Sequence, residues 1–189
     1  MTPLEAIESR HSVRRYKDDP IPEDILTKLR ERIREINQEA GLNIQLVTGE
    51  PKAFSGLMAY GSFSGVKNYL VMAGKKDGEL DENICCYIAL GYGTTQGSGH
   101  KVKSIIDVSN VSDLTPEWFN KGVEAALLAP TAVNQQKFFL EYLGNRDNGD
   151  LPKVAAKPLF SMIGYSKIDL GIVKYHFEVG AGKENFEWA

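Results

Sequence analysis

Apolar residues at helical spacing define the first predicted elements of the chain. Residues at steps of four, four and three lie on one face of a helix, and the chain has this spacing at Ile25, Leu29, Ile33 and Ile36. Gly41 then provides the stop signal of this helix. A shorter helix is predicted from Pro3 to about Ser9, because Thr2 is a good N-cap and Glu5 completes a capping box.

Short apolar runs bounded by turn residues predict four strands. They cover residues 42–47, 68–74, 87–93 and 137–143. A second start signal, Thr115 as N-cap followed by Pro116, predicts a helix that stops near Pro130, and a last helix is predicted over 169–182 with Asp169 as its cap. The predicted loops cover residues 53–66 and 145–150. Helices and strands without a regular βαβ rhythm predict an α+β fold.

Composition narrows the class of protein. A length of 189 residues predicts a single domain, 1–189, and 42% hydrophobic with 25% charged residues is typical of a globular protein. The net charge of -3 argues against a nucleic-acid binder. Two adjacent cysteines and three scattered histidines predict neither a disulfide framework nor a metal site. Without an export signal or a long apolar run, we expect a cytoplasmic protein that does not enter the membrane.

The stretch RHSVRRY, residues 10–16, concentrates basic residues in an acidic chain. Side chains alternate along an extended segment, so Arg10, Ser12 and Arg14 are expected to share one face. Two guanidinium groups flanking a hydroxyl suit a phosphate dianion. The alternative is a solvated basic surface, which short basic runs often form.

Two further stretches carry candidate chemistry. In HKVK, Lys101 and Lys103 share a face if the segment is extended, although such lysine pairs are also common on surfaces. In APTAVNQQKFF, a proline ends a helix and Asn134 is followed by two glutamines. Carboxamides offer a donor and an acceptor together, which suits the edge of a heterocycle. A polar turn after a helix is the alternative.

Together, RHSVRRY, APTAVNQQKF and ALGYGTTQGSGHKVKSI resemble motifs of the FMN-dependent nitroreductase family. The resemblance is to a branch that carries the Pro-Ser/Thr-Ala-x-Asn-x-Gln motif in its C-terminal half, and it runs from the first helix to the last. It implies a nitroreductase-like α+β fold, with a mixed or antiparallel sheet flanked by helices.

The resemblance also implies an FMN site built from all three motifs. Arg10 and Ser12 are expected to hold the FMN phosphate, and Arg14 is expected near the pyrimidine edge of the flavin. A cation there would stabilise the negative charge of the reduced ring. The full predicted cofactor-binding set is Arg10, His11, Ser12, Arg14, Lys101, Lys103, Pro130, Thr131, Asn134 and Gln136. No catalytic side chain is predicted, because the hydride chemistry belongs to the cofactor.

The implied function is an oxidoreductase that transfers hydride from NAD(P)H through FMN to nitro compounds or quinones. The expected partners are these small molecules, with a homodimer as a further expectation. One alternative is a non-catalytic or degenerate flavin-binding member of the family. Another is a plain phosphate-ligand binding module without redox work.

The chain departs from the family pattern in two places. Lys137 and Phe138 stand where the motif continues with Pro-Trp. Only residues 75–86 separate two predicted strands, too short a segment for the long helix and returning strand that family members place there. The central segment is therefore predicted to be missing. We expect an irregular loop over 75–86, with a helical turn around LDENICC and an apolar surface left partly uncovered.

Overall fold

In the computed structural model, the chain forms two compact units. The structure describes residues 1–54, 63–75, 82–97, 99, 101–145 and 150–189. The first unit contains Met1–Ser12 and Gly99–Ala189, and the second contains Val13–Ser98. Helices and antiparallel strands occur in both, which confirms the α+β prediction. The prediction of a single domain stays a prediction.

The first unit contains four helices and three strands among its described residues. The helices are α1 (Pro3–Ser9), α3 (Ile105–Val108), α4 (Glu117–Leu127) and α5 (Ser166–Ala181), and the strands are β4 (Phe138–Gly144), β5 (Lys153–Pro158) and β6 (Glu187–Trp188). The second unit has helix α2 (Glu23–Ala40) with strands β1 (Asn43–Val47), β2 (Asn68–Lys75) and β3 (Glu82–Leu90). Short 3-10 turns cover Lys52–Phe54, Ala132–Asn134 and Lys183–Asn185.

The N-terminal helices form as their capping signals predict. In α1 the Glu5 amide donates to Thr2 Oγ1 at 3.2 Å and the Thr2 amide donates to Glu5 Oε2 at 2.8 Å, which completes the capping box. Helix α2 ends at Gly41, whose φ of 62° lies in the left-handed region that glycine adopts readily. Its buried stripe differs from the prediction by one position, since Leu26 is buried and Ile25 is exposed.

The second unit is an antiparallel meander in the order β1, β2, β3. Strand β3 begins at Glu82, so the sequence NICC is strand and the predicted helical turn around LDENICC is wrong for residues 82–86. The pairing with β2 explains this difference, because β3 continues the ladder as far as Glu82 opposite Lys75. Residues 76–81 lie outside the described residues. An antiparallel neighbour needs only a short connection, which is consistent with the short central segment.

Three apolar side chains of β3, Ile84, Tyr87 and Ile88, are exposed. Tyr87 and Ile88 are consecutive in the strand and lie on opposite faces of the sheet, so the expected single uncovered apolar surface stays a prediction. Tyr69 and Tyr87 pack with Phe54 and Phe63 in an aromatic cluster. Among the described residues, the second unit has fewer buried hydrophobic side chains than the first.

The core of the first unit lies between α4, α5 and the β4–β5–β6 sheet. Strands β4 and β5 are antiparallel, and β5 and β6 are parallel. The largest fully buried side chains of this core are Phe119, Phe138, Phe177, Leu140, Val108, Val123, Val154 and Val173. This packing fixes the end of α4 and the start of β4, between which the APTAVNQQ motif lies.

Two predicted helix starts are wrong in their details. Helix α4 begins at Glu117 with Pro116 as its N-cap, because the Thr115 hydroxyl donates to the Ser112 carbonyl oxygen at 2.7 Å instead of capping the helix. Helix α5 begins at Ser166, so Asp169 lies in its first turn and is not its cap. Helix α3 and strands β5 and β6 were not predicted.

Candidate functional site

The loop over residues 130–136, called here the 130–136 loop, connects α4 to β4 and has an unusual backbone. Val133, Asn134 and Gln136 have positive φ angles of 45°, 56° and 45°. A left-handed conformation is tolerated by asparagine but is strained for a β-branched residue such as valine. Strain of this kind costs about 1–3 kcal/mol per residue and is concentrated at functional sites. The surrounding hydrogen bonds must therefore hold this loop.

Gln136 is the most buried polar residue of the loop, with 3% of its surface exposed. Its Nε2 donates to the Lys101 carbonyl oxygen at 2.8 Å and to Asn134 Oδ1 at 2.9 Å, and its Oε1 accepts from the Lys103 amide at 2.9 Å. Both amide hydrogens are thus used within the protein. Gln136 joins the predicted HKVK and APTAVNQQ segments directly.

Lys103 has its ammonium group directed at the same loop. Its Nζ donates to the Gln136 carbonyl oxygen at 2.6 Å. Burial, and then the charge of Lys137, lower the pKa of the Lys103 ammonium, while Asp107 opposes the shift. Lys101 is exposed and contributes its carbonyl oxygen to the contacts described above.

Three members of the predicted cofactor-binding set, Pro130, Thr131 and Asn134, are at least partly accessible. Asn134 Nδ2 donates to the Lys101 carbonyl oxygen at 2.8 Å, which leaves its second amide hydrogen for another acceptor. Thr131 Oγ1 accepts from the Gln136 amide at 3.1 Å and keeps its own hydroxyl hydrogen. Pro130 is exposed at the start of the loop.

The end of α1 carries the predicted phosphate residues. Arg10 caps this helix, and its Nη1 donates to Ser12 Oγ at 3.4 Å, so these two side chains are adjacent as predicted. Arg10 Nε is buried and has no hydrogen-bond partner within the described part of the chain. Burial lowers the pKa of the Arg10 guanidinium. Exposed His11 lies beside Gly99, where an added Cβ would be 3.8 Å from His11 Nε2.

Arg14 belongs to the second unit, whereas the other nine predicted site residues belong to the first. Its carbonyl oxygen accepts from the Ser64 amide at 2.9 Å. The neighbouring Arg15 accepts in the same way from the Thr94 amide at 2.9 Å. These contacts fix the backbone of the RHSVRRY segment, and the role of the Arg14 side chain stays a prediction.

Sequence reasoning missed two residues that hold the 130–136 loop. The buried Asp169 carboxylate accepts from the Ala132 amide through Oδ1 at 3.0 Å and from Gln135 Nε2 through Oδ2 at 2.6 Å. Gln135 was noted only as part of a polar stretch. The signal that could have found Asp169 is a carboxylate on a mostly apolar helix, which is buried only when it is paired.

Other concave surfaces do not coincide with these residues. A depression of about 360 Å³ and one of about 290 Å³ both lie in the second unit, and neither is lined by a predicted flavin residue. The larger is shallow and is lined by Arg30, Ile33, Arg34, Asn37, Gln38 and Leu46. We therefore locate the candidate site from its donor groups and not from cavity volume.

The described part of the chain contains neither a metal-binding cluster nor a membrane-spanning helix. It contains no cluster of three or more histidine, cysteine, aspartate or glutamate side chains that could hold a metal ion. None of its helices is both long enough and apolar enough to cross a membrane. The donor set that does occur, an arginine with a free buried N–H beside a hydroxyl, fits an anionic group such as a phosphate.

Comparison with known proteins supports the same family. The profile of the protein family described as "Putative TM nitroreductase" matches residues 3–85 and 75–181. These segments span most of the chain, so the chain belongs to this nitroreductase family. They overlap at residues 75–85, where the central segment was predicted to be missing.

A solved structure has the same fold. The crystal structure of a "putative nitroreductase" from Thermotoga maritima superposes with a TM-score of 0.62 at 19% sequence identity. The match covers 97% of this chain and 85% of that chain. This likeness confirms the predicted nitroreductase-like fold. No curated protein matches the chain.

Proposed function

We propose that the chain is an FMN-dependent oxidoreductase that uses NAD(P)H to reduce nitro compounds or quinones. FMN supplies the hydride chemistry when it is bound. The chain's own residues then have two tasks, which are to bind the phosphate and to orient the ring. Family membership supports the oxidoreductase class, and the site residues support the cofactor. The homodimer and the cytoplasmic location stay predictions.

The observation that carries this proposal is the free Nε donor of Arg10. A buried donor without a partner costs about 1–3 kcal/mol, so a ligand oxygen that accepts from it would stabilise the complex. The adjacent Ser12 hydroxyl offers a second contact. In the proposal, the Lys101 and Lys103 ammonium groups complete a cationic surface for a phosphate that carries about two negative charges, and the His11 ring offers a further N–H donor.

The ring half of the proposed site is the 130–136 loop. The free hydrogens of Asn134 and Thr131 suit the acceptors of the flavin pyrimidine, and Pro130 suits an apolar ring face. Gln136 supports the ring site indirectly, because its Nε2 donates to Asn134 Oδ1 and so orients the Asn134 amide. The role expected of Arg14, at the edge of the ring where negative charge develops on reduction, stays a prediction, because Arg14 belongs to the second unit.

A second candidate is a flavin-binding protein without catalytic activity. The short connection between β2 and β3 and the exposed apolar residues of β3 favour it. Both candidates require FMN binding, and they differ in whether NAD(P)H reduces the bound flavin.

Titration of the purified protein with FMN, followed by quenching of flavin fluorescence, tests binding. Arg10→Ala should weaken FMN binding by roughly tenfold to a hundredfold, because it removes a charge-assisted contact worth about 1.5–3 kcal/mol. Arg34→Ala, which removes an exposed arginine of α2, is the control for charge alone. Equal affinities of wild type and Arg10→Ala would exclude the assigned phosphate site.

Anaerobic addition of NADH or NADPH to the FMN complex tests catalysis. Loss of the visible flavin absorption is expected for the oxidoreductase. Unchanged absorption with both nicotinamides would favour the non-catalytic candidate.

A further inference from the structure

Asp169 is a buried carboxylate to which the proposed function assigns no role. Only 7% of its surface is exposed, and it lies in the first turn of α5. Both of its oxygens accept hydrogen bonds from the 130–136 loop. Oδ1 accepts from the Ala132 amide at 3.0 Å, whereas Oδ2 accepts from the same amide at 3.2 Å and from Gln135 Nε2 at 2.6 Å.

Gln135 extends this contact to a second segment. Its Nε2 also donates to the Gly164 carbonyl oxygen at 3.1 Å, and its Oε1 accepts from the Ser161 hydroxyl. The segment that it holds, residues 159–164, is apolar and open to solvent, with Phe160 84% and Met162 92% exposed. Gln135 therefore connects the 130–136 loop and residues 159–164 to the buried Asp169 carboxylate through hydrogen bonds.

The hydrogen bonds to Asp169 lie on both sides of the strained part of the 130–136 loop. Ala132 and Gln135 flank Val133 and Asn134, two of the residues with positive φ. A strained conformation persists only where its surroundings determine it. Asp169 holds the loop on both sides of the strained residues, so its charge opposes relaxation of the backbone that carries Asn134.

We infer that Asp169, through the Ala132 amide and the Gln135 side chain, is a positioning residue that fixes the 130–136 loop for contact with the flavin ring. This inference rests on the proposed function for the identity of the ligand. The hold of Asp169 on the loop can be tested without any ligand.

Asp169→Asn is the sharpest test, because it preserves shape but replaces one acceptor oxygen with a donor. If Nδ2 faces Gln135, two donors oppose each other, and if the amide is turned over, Nδ2 faces the Ala132 N–H. Rotating the Gln135 amide instead would place its oxygen against the Gly164 carbonyl oxygen. Each arrangement leaves an unfavourable contact, so the loop should loosen.

The first measurement is amide hydrogen exchange over residues 131–136 in the ligand-free protein. Exchange in Asp169→Asn and in Gln135→Ala should be faster than in wild type by about tenfold or more, since a hydrogen-bond network is broken. Asn110→Ala is the matched control. It removes two bonds to Tyr142, at 3.0 Å and 2.8 Å, and none to the loop, so exchange over residues 131–136 should stay as in wild type.

The second measurement is the visible circular dichroism of flavin at saturation with FMN. A purely structural role of Asp169 would lower stability and leave the spectrum of the saturated complex unchanged, as expected for Asn110→Ala. A positioning role predicts a spectrum shifted towards free FMN. It also predicts that Asp169→Asn weakens FMN and riboflavin binding by the same factor, because the phosphate residues are untouched.

The two measurements separate the two hypotheses. If wild type binds no FMN, the proposed function fails, and the exchange data alone decide whether Asp169 positions the loop. Wild-type exchange over residues 131–136 in Asp169→Asn would overturn the inference. A wild-type flavin spectrum in the saturated variant would overturn it as well.

Discussion

His176 is a buried side chain whose pKa depends on its burial and on the charge of Arg10. It lies in α5 and is buried, and its Nδ1–H donates to the Ile172 carbonyl oxygen at 3.0 Å. Burial is the main cause that lowers its pKa, the charge of Arg10 lowers it further, and the bond to Ile172 opposes the shift. The folded protein therefore favours the neutral ring.

This lowered pKa predicts a loss of stability in acid. In the unfolded chain His176, with a pKa of about 6.5, binds a proton more readily than in the folded protein. The contribution of His176 to the free energy of unfolding is therefore complete above about pH 6.5 and is lost as pH falls through the folded pKa. Urea unfolding at pH 7.5, 6.5 and 5.5 measures the effect. Wild type should lose up to about 1.4 kcal/mol per pH unit more than His176→Gln.

His11, which is exposed, provides the control for this experiment. His11→Gln should retain the additional acid sensitivity of wild type, because it leaves His176 in place. Identical pH dependence of wild type and His176→Gln would contradict the assignment of this sensitivity to His176.

At the scale of elements, the contact between α4 and α5 depends on glycine. A Cβ added to Gly180 would lie 2.6 Å from Ala125 Cβ and 2.6 Å from the Lys121 carbonyl oxygen. A Cβ added to Gly122 would lie 2.6 Å from Phe177 Cε2. The two helices are therefore as close as their backbones permit, and they carry much of the core of the first unit.

Gly180→Ala should destabilise the protein by about 1–3 kcal/mol, because the helices must separate to admit the methyl group. Gly171→Ala, in the same helix with nothing within 4 Å of the added Cβ, should instead stabilise by up to about 1 kcal/mol through helix propensity. Urea midpoints of the two variants give both values. Equal effects would show that packing at Gly180 does not limit the approach of the helices.

The elements that the sequence predicts well are those with local signals. The capping box at Thr2 and the terminal Gly41 fix helix ends without any partner, so α1 and α2 were predicted closely. Strand β3 was predicted too short because its first residues become strand by pairing with β2, which the sequence does not reveal. The start of α5 failed because Asp169, a good cap by type, serves another segment 37 residues away in the chain.

The sequence predicted the candidate site to about the same extent as it predicted the fold. The motifs located the loop and the Arg10–Ser12 pair, and this adjacency is confirmed. The motifs could not show that Gln136 and Lys103 bond to each other, since 33 residues separate them. FMN binding by these residues stays a prediction.

At the scale of the whole molecule, the proposed cofactor contacts are distributed unequally. Every proposed contact lies in the first unit. Both tryptophans, Trp118 and Trp188, also belong to this unit and pack in its aromatic core. Tryptophan fluorescence therefore follows unfolding of the first unit, whereas far-ultraviolet circular dichroism follows helices and strands of both.

FMN should raise the melting temperature of the first unit by mass action. At 100 times the dissociation constant, a ligand that binds only the folded state adds about 2.7 kcal/mol, or roughly 5–10 °C for a chain of this length. If the chain is a single domain as predicted, both signals should melt together and shift together. A shift of the fluorescence midpoint alone would show two separately unfolding units. Arg10→Ala at the same FMN concentration should shift less, and no shift of wild type at saturating FMN would contradict the proposed cofactor.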